Sequence, residues 1–149
     1  MEDMESQPMS DNQTKIGCTV FIIRNGKVLL GKRKNIYGAG DYGLPGGHLM
    51  YGEKLVDGAR RELLEETGIT DGTLRFSAVV DDPRLTEKEP QHYIHAAFTL
   101  EDSKQEPRLM EPDKCAGWEW FPLERIPENI LIGHRPIFKT FFAKTTYLH

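Results

Sequence analysis

The chain has 149 residues, of which 38% are hydrophobic and 28% are charged, and its formal net charge is −4. This length suits one globular domain, and the acidic excess argues against DNA or RNA polymers, which need clustered Lys and Arg. Apolar runs fall far short of the ~20 residues that span a bilayer, and Cys18 and Cys115 lack the spacing of a zinc knuckle or a disulfide framework. We therefore expect a cytoplasmic protein with no membrane segment, in which one domain at residues 15–149 follows a flexible tail at residues 1–14.

Strands are predicted first where β-branched and apolar residues run together. Residues 18–23 and 27–30 form two such runs, and the Asn25-Gly26 pair between them is a strong hairpin signal. The glycine-rich segment at residues 38–47 is too interrupted for a helix and predicts a loop. Within that loop and beyond it, short strands are predicted at residues 42–44, 74–80, 93–100 and 118–121.

Two segments change to the spacing of a helix. Apolar side chains recur on one side of residues 55–67, and Gly68 stands where a left-handed C-terminal cap belongs. Pro136 opens a second apolar stripe at residues 137–143, as proline often does in a first helical turn. Several strands with one central and one terminal helix predict a mixed α/β or α+β domain.

Three glutamates crowd the end of the first predicted helix. Residues three and four apart are neighbours on a helix, so Glu62, Glu65 and Glu66 repel one another unless a cation offsets their charge. Carboxylate oxygens are hard ligands, which favours Mg²⁺, or else Mn²⁺, over zinc. Mg²⁺ commonly completes its shell with water and phosphate oxygens. This turn therefore predicts a divalent-metal site for a phosphate substrate.

The segment before that helix suits such a site. Gly46 and Gly47 allow the backbone to approach a metal or phosphate closely, because neither carries a Cβ. Arg61 is placed to pair with Glu53 and so to hold the loop against the helix.

The chain resembles the Nudix hydrolases. Their signature is matched at every position by Gly47-x5-Glu53-x7-Arg61-Glu62-Leu63-x-Glu65-Glu66-x-Gly68-Ile69, and Leu44-Pro45-Gly46 before it is also similar to that family. The resemblance implies the Nudix fold, an α/β/α sandwich around a mixed β-sheet with a central metal-binding helix. It also implies hydrolysis of a nucleoside diphosphate linked to another group.

The resemblance assigns roles to the residues of the signature. The implied metal ligands are the Gly46 carbonyl and the carboxylates of Glu62, Glu65 and Glu66. Glu53 and Arg61 would hold the geometry of the loop and helix. Either Glu65 or Glu53 would be the general base, and two or three metal ions would take part.

Segments outside the signature resemble one branch of the family. Residues 30–34, 110–115 and 118–120 are similar to the thiopurine-nucleotide diphosphatase of animals and to plant cytosolic enzymes that act on oxidised dGTP or geranyl diphosphate. Members cleave nucleoside triphosphates to the monophosphate and pyrophosphate, usually as homodimers. The implied substrate contacts are Arg33, Gly47, His48, His95, Gly133 and His134.

The substrate is less closely defined than the reaction. Gly43, His95 and Ile132 stand where the animal relative has glutamine, threonine and tryptophan. We expect a small nucleotide, with dGTP or oxidised dGTP as candidates, and a homodimer. The alternatives are a hydrolase of ADP-ribose, of a nucleotide sugar or of an isoprenoid diphosphate, and a non-catalytic module that senses a nucleotide.

Overall fold

The first two strands form the predicted hairpin. The computed structural model describes residues 13–86 and 91–148, so the predicted tail lies outside the described residues up to residue 12. Strand β1 (Thr14–Arg24) starts earlier than predicted, at the last residue of that tail, and turns into β2 (Lys27–Arg33). Asn25 and Gly26 adopt φ of 53° and 75°, the conformation that a tight hairpin turn requires.

The remaining elements follow the predicted order. The other strands are β3 (Tyr42–Gly43), β4 (Gly46–His48), β5 (Thr73–Asp81), β6 (His92–Glu101) and β7 (Cys115–Pro122). The two α-helices are α1 (Leu55–Thr67) and α2 (Arg135–Ala143), and short 3₁₀ turns cover Pro83–Thr86, Leu123–Arg125 and Ile132–His134. The first predicted helix has the bounds of α1, and Gly68 caps it at φ 74° with its N–H donating to the Leu64 carbonyl.

Strand β4 corrects one part of the sequence prediction. We expect a loop through residue 47, yet Gly46 and Gly47 lie opposite Thr19 and Cys18 in an antiparallel pairing with β1. That loop prediction is wrong at residues 46–47. A Cβ on Gly46 would overlap the Cys18 carbonyl oxygen, so the glycine that suggested a loop is what allows the backbones to pair this closely.

The seven strands form one mixed sheet. Its order is β3-β2-β1-β6-β5, with β4 also paired to β1 and β7 also paired to β2. Strand β1 runs parallel to β6, and the other pairings between these strands are antiparallel. Alternating side chains of β1 pack on opposite faces: Cys18 and Val20 meet Leu63 of α1, whereas Phe21 meets Phe138 of α2. A helix therefore covers each face, as the predicted α/β/α sandwich requires.

The strand register gathers the residues of the site. On one side of β1, Cys18 lies opposite Gly47 of β4, and on the other side Gly17 lies opposite His95 of β6. Within the described residues, neither α-helix is long and apolar enough to cross a membrane.

Candidate active site

A cleft of about 600 Å³ opens beside β1, between the end of α1 and the 3₁₀ turn before α2. This volume lies in the range of small-molecule binding sites. Ten of the twelve predicted site residues line it: Arg33, Gly46, Gly47, His48, Arg61, Glu62, Glu65, Glu66, His95 and His134. The other two, Glu53 and Gly133, each lie beside a lining residue, Glu53 beside Arg61 and Gly133 beside His95. We call its two parts the acidic end, formed by Glu62, Glu65 and Glu66 with Arg61, and the aromatic end, formed by Tyr93, His95, His134 and Arg84. We include in the aromatic end the buried Asp82, which contacts His95 and Arg84 without lining the cleft.

Arg61 organises the acidic end. Its Nε donates to Glu53 Oε2 at 2.7 Å and its Nη2 to Glu53 Oε1 at 3.0 Å, the pairing that the sequence predicts. Its Nη2 also donates to the His48 carbonyl at 2.8 Å, and its Nη1 to Glu62 at 2.8 Å and to Glu65 at 3.3 Å. The hydrogen bonds from Arg61 and from the Met50 backbone lower the pKa of Glu53 to about 2. One guanidinium thus joins the loop, the strand β4 and the helix α1.

Glu66 and Glu62 also contact the backbone of β4, where the two glycines carry no side chain. The Gly46 N–H donates to Glu66 Oε1 at 2.9 Å, and a Cβ on Gly47 would overlap the Glu62 carboxyl group. Burial raises the pKa of Glu66 to about 8 and also raises the pKa of Glu62. The carboxyl groups of Glu62 and Glu66 therefore lie against a strand whose close approach requires glycine. Their burial makes the charged forms less favourable in free energy.

These donors fit a hard divalent cation. Three carboxylates and a backbone carbonyl are an all-oxygen set, which Mg²⁺ and Mn²⁺ prefer, and a bound cation would offset the cost of burying the carboxylates. Within residues 13–86 and 91–148, no three His, Cys, Asp or Glu side chains are already gathered at metal-ligand spacing. The guanidinium of Arg61 instead occupies Glu62 and Glu65.

The aromatic end is built around a buried carboxylate. Asp82 Oδ2 lies 2.9 Å from His95 Nε2, and it accepts a hydrogen bond from Arg84 Nε at 3.0 Å. The Arg84 guanidinium lies between two rings, 4.5 Å from the centre of Tyr37 and 4.5 Å from the centre of Tyr93. A flat cation between two aromatic faces is a stabilising arrangement.

The imidazoles of the cleft are fixed by hydrogen bonds. His48 Nε2 lies 2.6 Å from the Tyr93 hydroxyl, and His134 Nδ1 accepts the Leu44 N–H at 3.0 Å. Burial holds the pKa of His134 well below its usual range, so its ring is neutral. The rings of His95 and His134 meet edge to face with their centres 5.6 Å apart.

Arg33 connects the two ends. Its Nε donates to the Tyr37 carbonyl at 2.7 Å, which directs the side chain of β2 into the cleft. Its charge interacts with Glu66 of the acidic end and with Arg84 of the aromatic end. The guanidinium is therefore available to a phosphate chain that lies along the cleft.

Sequence reasoning missed three residues of the aromatic end. Asp82, Arg84 and Tyr93 are not among the predicted contacts: Asp82 and Arg84 lie in the polar segment between two predicted strands, and Tyr93 is the first residue of a predicted strand. The one available signal was the position of charged residues directly after a predicted strand, where loops often carry binding groups. Gly133 is placed beside Asp82, where a Cβ would overlap the carboxylate, and its predicted contact with substrate stays a prediction.

Comparison with known proteins agrees with this arrangement. Residues 13–141 match the NUDIX domain. The chain is 34% identical over 115 residues to the oxidized purine nucleoside triphosphate hydrolase of Danio rerio, which covers 76% of this chain and 70% of that protein. It is 34% identical over 113 residues to the Mus musculus protein of the same name, covering 72% and 66%. Among solved structures, the MutT NUDIX hydrolase from Burkholderia pseudomallei superposes with a TM-score of 0.78 at 31% identity, covering 85% of this chain and 97% of that one.

Proposed function

The chain belongs to the NUDIX family of hydrolases, and from this premise we propose that it is a Mg²⁺-dependent pyrophosphohydrolase of nucleoside triphosphates. The products are a nucleoside monophosphate and pyrophosphate, and dGTP and oxidised dGTP are the leading substrates. The relatives from Danio rerio and Mus musculus, both named as oxidized purine nucleoside triphosphate hydrolases, support this choice of substrate.

One observation carries the proposal: the acidic end and the aromatic end line the same cleft. A nucleoside triphosphate has a polyanionic chain joined to a flat base, so it needs two unlike environments side by side. The carboxylates suit a cation that binds phosphate, and the rings of Tyr93, His95 and His134 suit a base. Arg33 lies between them as a cation for the phosphate chain.

The residues at the acidic end have two roles, which are binding of the metal ion and positioning of the backbone segments around it. Glu62, Glu65, Glu66 and the Gly46 carbonyl would hold Mg²⁺, which when bound neutralises phosphate charge and acidifies a water molecule. Arg61 keeps the loop, β4 and α1 in one arrangement through its contacts with Glu53 and the His48 carbonyl.

The geometry favours Glu65 over Glu53 as the general base. Both oxygens of Glu53 already accept hydrogen bonds from Arg61, Oε1 also accepts the Met50 N–H, and its lowered pKa makes it a weak base. Glu65 lines the cleft with 48% of its side chain exposed, and its contact with Arg61 is the longest that guanidinium makes, at 3.3 Å. Glu65 is thus able to accept the proton of an attacking water.

A substrate panel tests the proposal. The protein is incubated with dGTP, oxidised dGTP, ADP-ribose, a nucleotide sugar and geranyl diphosphate, each with Mg²⁺, with Mn²⁺ and with EDTA. We expect triphosphates to give monophosphate and pyrophosphate, resolved by ³¹P NMR, with turnover abolished by EDTA. Preferred cleavage of ADP-ribose, the sugar nucleotide or geranyl diphosphate would overturn the substrate assignment. Tight binding of a nucleotide without turnover would identify a sensing module instead.

The predicted homodimer is a separate proposal. Light scattering at several protein concentrations measures it directly, and a mass of 17.0 kDa at all of them would contradict it.

A further inference from the structure

The side chain of His48 is exposed and is nevertheless tied down. His48 is the last residue of β4 and lines the cleft. Its backbone carbonyl accepts a hydrogen bond from Arg61 at 2.8 Å, and its ring Nε2 lies 2.6 Å from the Tyr93 hydroxyl. An exposed side chain loses rotamer freedom when it is fixed, so this contact has an entropic cost. His48 is thus joined to the acidic end by its backbone and to the aromatic end by its ring.

Tyr93 is a rigid partner for that ring. Only 5% of Tyr93 is exposed, and β6 holds its backbone opposite Lys15 of β1. The Arg84 guanidinium lies 4.5 Å from the centre of the Tyr93 ring. The His95 ring stacks almost parallel to it, with centres 5.8 Å apart and planes inclined by 9°. The buried ring therefore fixes the place of the hydroxyl, and the hydroxyl in turn fixes His48.

The short distance between the two groups indicates which of them donates. An N–H donor lies about 2.7–3.2 Å from an oxygen acceptor, whereas hydroxyl donors approach their acceptors more closely. A separation of 2.6 Å is therefore typical of the Tyr93 O–H donating to His48 Nε2. Burial raises the pKa of Tyr93, so the hydroxyl keeps the proton that it donates.

The other ring nitrogen of His48 is then a donor. A neutral imidazole carries one proton, and this proton is on Nδ1 when Nε2 accepts. An imidazolium carries a proton on each nitrogen, so Nδ1 is a donor in either charge state. Within residues 13–86 and 91–148, this nitrogen makes no hydrogen bond. His48 therefore offers an N–H to whatever occupies the cleft.

A phosphate oxygen is the complement of this N–H. The two residues before His48 are Gly46 and Gly47, which border the carboxyl groups of Glu66 and Glu62. The ring thus stands next to the acidic end, where the proposed function puts the phosphate chain. The oxygens of that chain only accept hydrogen bonds, and bonds to a charged acceptor are shorter and stronger than bonds between neutral groups.

We propose that Tyr93 is a positioning residue, whose hydroxyl fixes the His48 ring so that Nδ1–H donates to an oxygen of the substrate's phosphate chain. This inference rests on the proposed function and deepens it, because it assigns the contact of His48 to the phosphate chain and not to the base. Every nucleoside triphosphate presents the same chain. The contribution of Tyr93 and His48 should therefore be equal for all bases.

The first experiment observes the ring of His48 without turnover. Two-bond ¹H–¹⁵N correlation spectra are recorded at about pH 8, where imidazole is neutral, and His48 is assigned by its loss in His48→Gln. The wild type should carry the proton on Nδ1. Tyr93→Phe removes only the hydroxyl, so the Nε2–H form should become populated. Tyr147→Phe is the matched control, since the Tyr147 hydroxyl donates to Asp81 at 2.7 Å outside the cleft. A wild-type proton on Nε2 would overturn the inference.

The same spectra test the contact with phosphate. Inorganic pyrophosphate with Mg²⁺ has no base, and it should shift the Nδ1 resonance of His48 beyond the change caused by Mg²⁺ alone. The shift should be smaller in Tyr93→Phe. Deoxyguanosine, which has a base and no phosphate, should leave the resonance unchanged. A response to deoxyguanosine and not to pyrophosphate would overturn the inference.

The second experiment compares kcat/KM for dGTP, dATP, dCTP and dTTP, as far as the wild type hydrolyses them. Tyr93→Phe should lower kcat/KM by about tenfold, by the same factor for each base, and Tyr147→Phe should leave it unchanged. The amide of Gln occupies the place of Nε2 and the amide of Asn that of Nδ1, so His48→Gln should lose more activity than His48→Asn. A loss in Tyr93→Phe that is confined to one base would overturn the inference.

The outcomes separate this inference from the proposed function. Wild-type kcat/KM in Tyr93→Phe, with no response of Nδ1 to pyrophosphate, would refute the role of Tyr93 and leave the proposed reaction intact. Failure of the wild type to hydrolyse any nucleotide would refute the proposed reaction, and the spectra would still decide whether Tyr93 sets the tautomer of His48.

Discussion

The two ends of the cleft hold their charged groups in opposite ways. At the acidic end, Arg61 and Glu65 keep 22% and 48% of their side chains exposed, and the contact between them is 3.3 Å long. At the aromatic end, the Asp82 side chain is fully buried and that of Arg84 is 12% exposed, with a shortest contact between the two side chains of 2.9 Å. Partly exposed ion pairs exchange partners at little cost, whereas buried pairs are strongly destabilised by loss of one partner. The Arg61–Glu65 pair of the acidic end is therefore suited to exchange Arg61 for a cation, and the aromatic end is suited to stay fixed.

The largest expected effect is the loss of chemistry at the acidic end without loss of fold. In Glu65→Gln, one carboxylate of the proposed metal site and the proposed general base are removed together from an exposed position. We expect kcat to fall by about 100- to 10,000-fold, with the urea-unfolding midpoint close to that of the wild type.

A matched variant controls for the change of charge. Glu106→Gln removes a carboxylate that is paired with Arg24 outside the cleft and is 78% exposed, and it should leave kcat unchanged. Equal activity of the two variants would show that the acidic end does not perform the chemistry.

The second prediction tests whether the site requires the geometry of the Arg61 guanidinium or only its positive charge. Arg61→Lys keeps the positive charge but loses the fork that reaches Glu53 and the His48 carbonyl together. The loop and α1 should shift relative to each other, so we expect kcat to fall by about 10- to 100-fold. Steady-state kinetics with saturating Mg²⁺ measure this change.

Arg75→Lys is the control, because Arg75 also donates to a carboxylate, Glu101, but on the open surface of β5. It should leave kcat unchanged, since exposed pairs contribute little. Wild-type kinetics in Arg61→Lys would mean that the acidic end needs a cation at this place and no particular geometry.

The difference between the acidic end and the aromatic end also explains which site residues could be predicted from the sequence. Glu62, Glu65 and Glu66 lie on consecutive turns of one helix, so their spacing alone indicates a shared site. The residues themselves also predict the pairing of Arg61 with Glu53, which the structure shows, and the resemblance to the Nudix hydrolases adds the Gly46 carbonyl.

The residues of the aromatic end could not be predicted from spacing or from a motif. Asp82 reaches His95 only because β5 pairs with β6, and His134 reaches them only because the chain returns before α2. No short motif spans these segments. Tyr93 was read as one more residue of a strand, since a period of two indicates which face a residue shares and not which partners lie across the cleft. Long-range pairing of this kind has no local sequence signal.

A smaller effect should appear at the aromatic end as a dependence of stability on pH. The pKa of Asp82 is about 2 in the folded protein against 3.8 as its ordinary value. Above pH 3.8 the carboxylate is charged in both states, and its stabilising contribution is complete. As the pH falls from 3.8 through 2, the unfolded chain takes up the proton first and the contribution is lost, a change of about 2 kcal/mol.

This is measured as the difference in unfolding free energy between the wild type and Asp82→Asn, from urea titrations between pH 7 and pH 2.5. The difference should be constant at neutral pH and should shrink below pH 4. Raising the salt concentration should alter it little, because a buried pair is poorly screened. A difference that does not change across the whole range would place Asp82 in contact with water, and the aromatic end would then be as exchangeable as the acidic one.

The smallest expected effect concerns Tyr37, an exposed residue beside the buried residues of the aromatic end. Tyr37 is 41% exposed and covers one face of the Arg84 guanidinium, whose other face meets the buried ring of Tyr93. Tyr37→Leu removes one cation–π contact at the surface, so we expect a loss of about 0.5–1 kcal/mol in unfolding free energy. Because Asp82 still holds Arg84, KM should rise by no more than about threefold and kcat should not change. Tyr51→Leu, at a fully exposed tyrosine, is the control. A tenfold rise in KM in Tyr37→Leu would mean that the outer ring, and not the buried carboxylate, sets the position of Arg84.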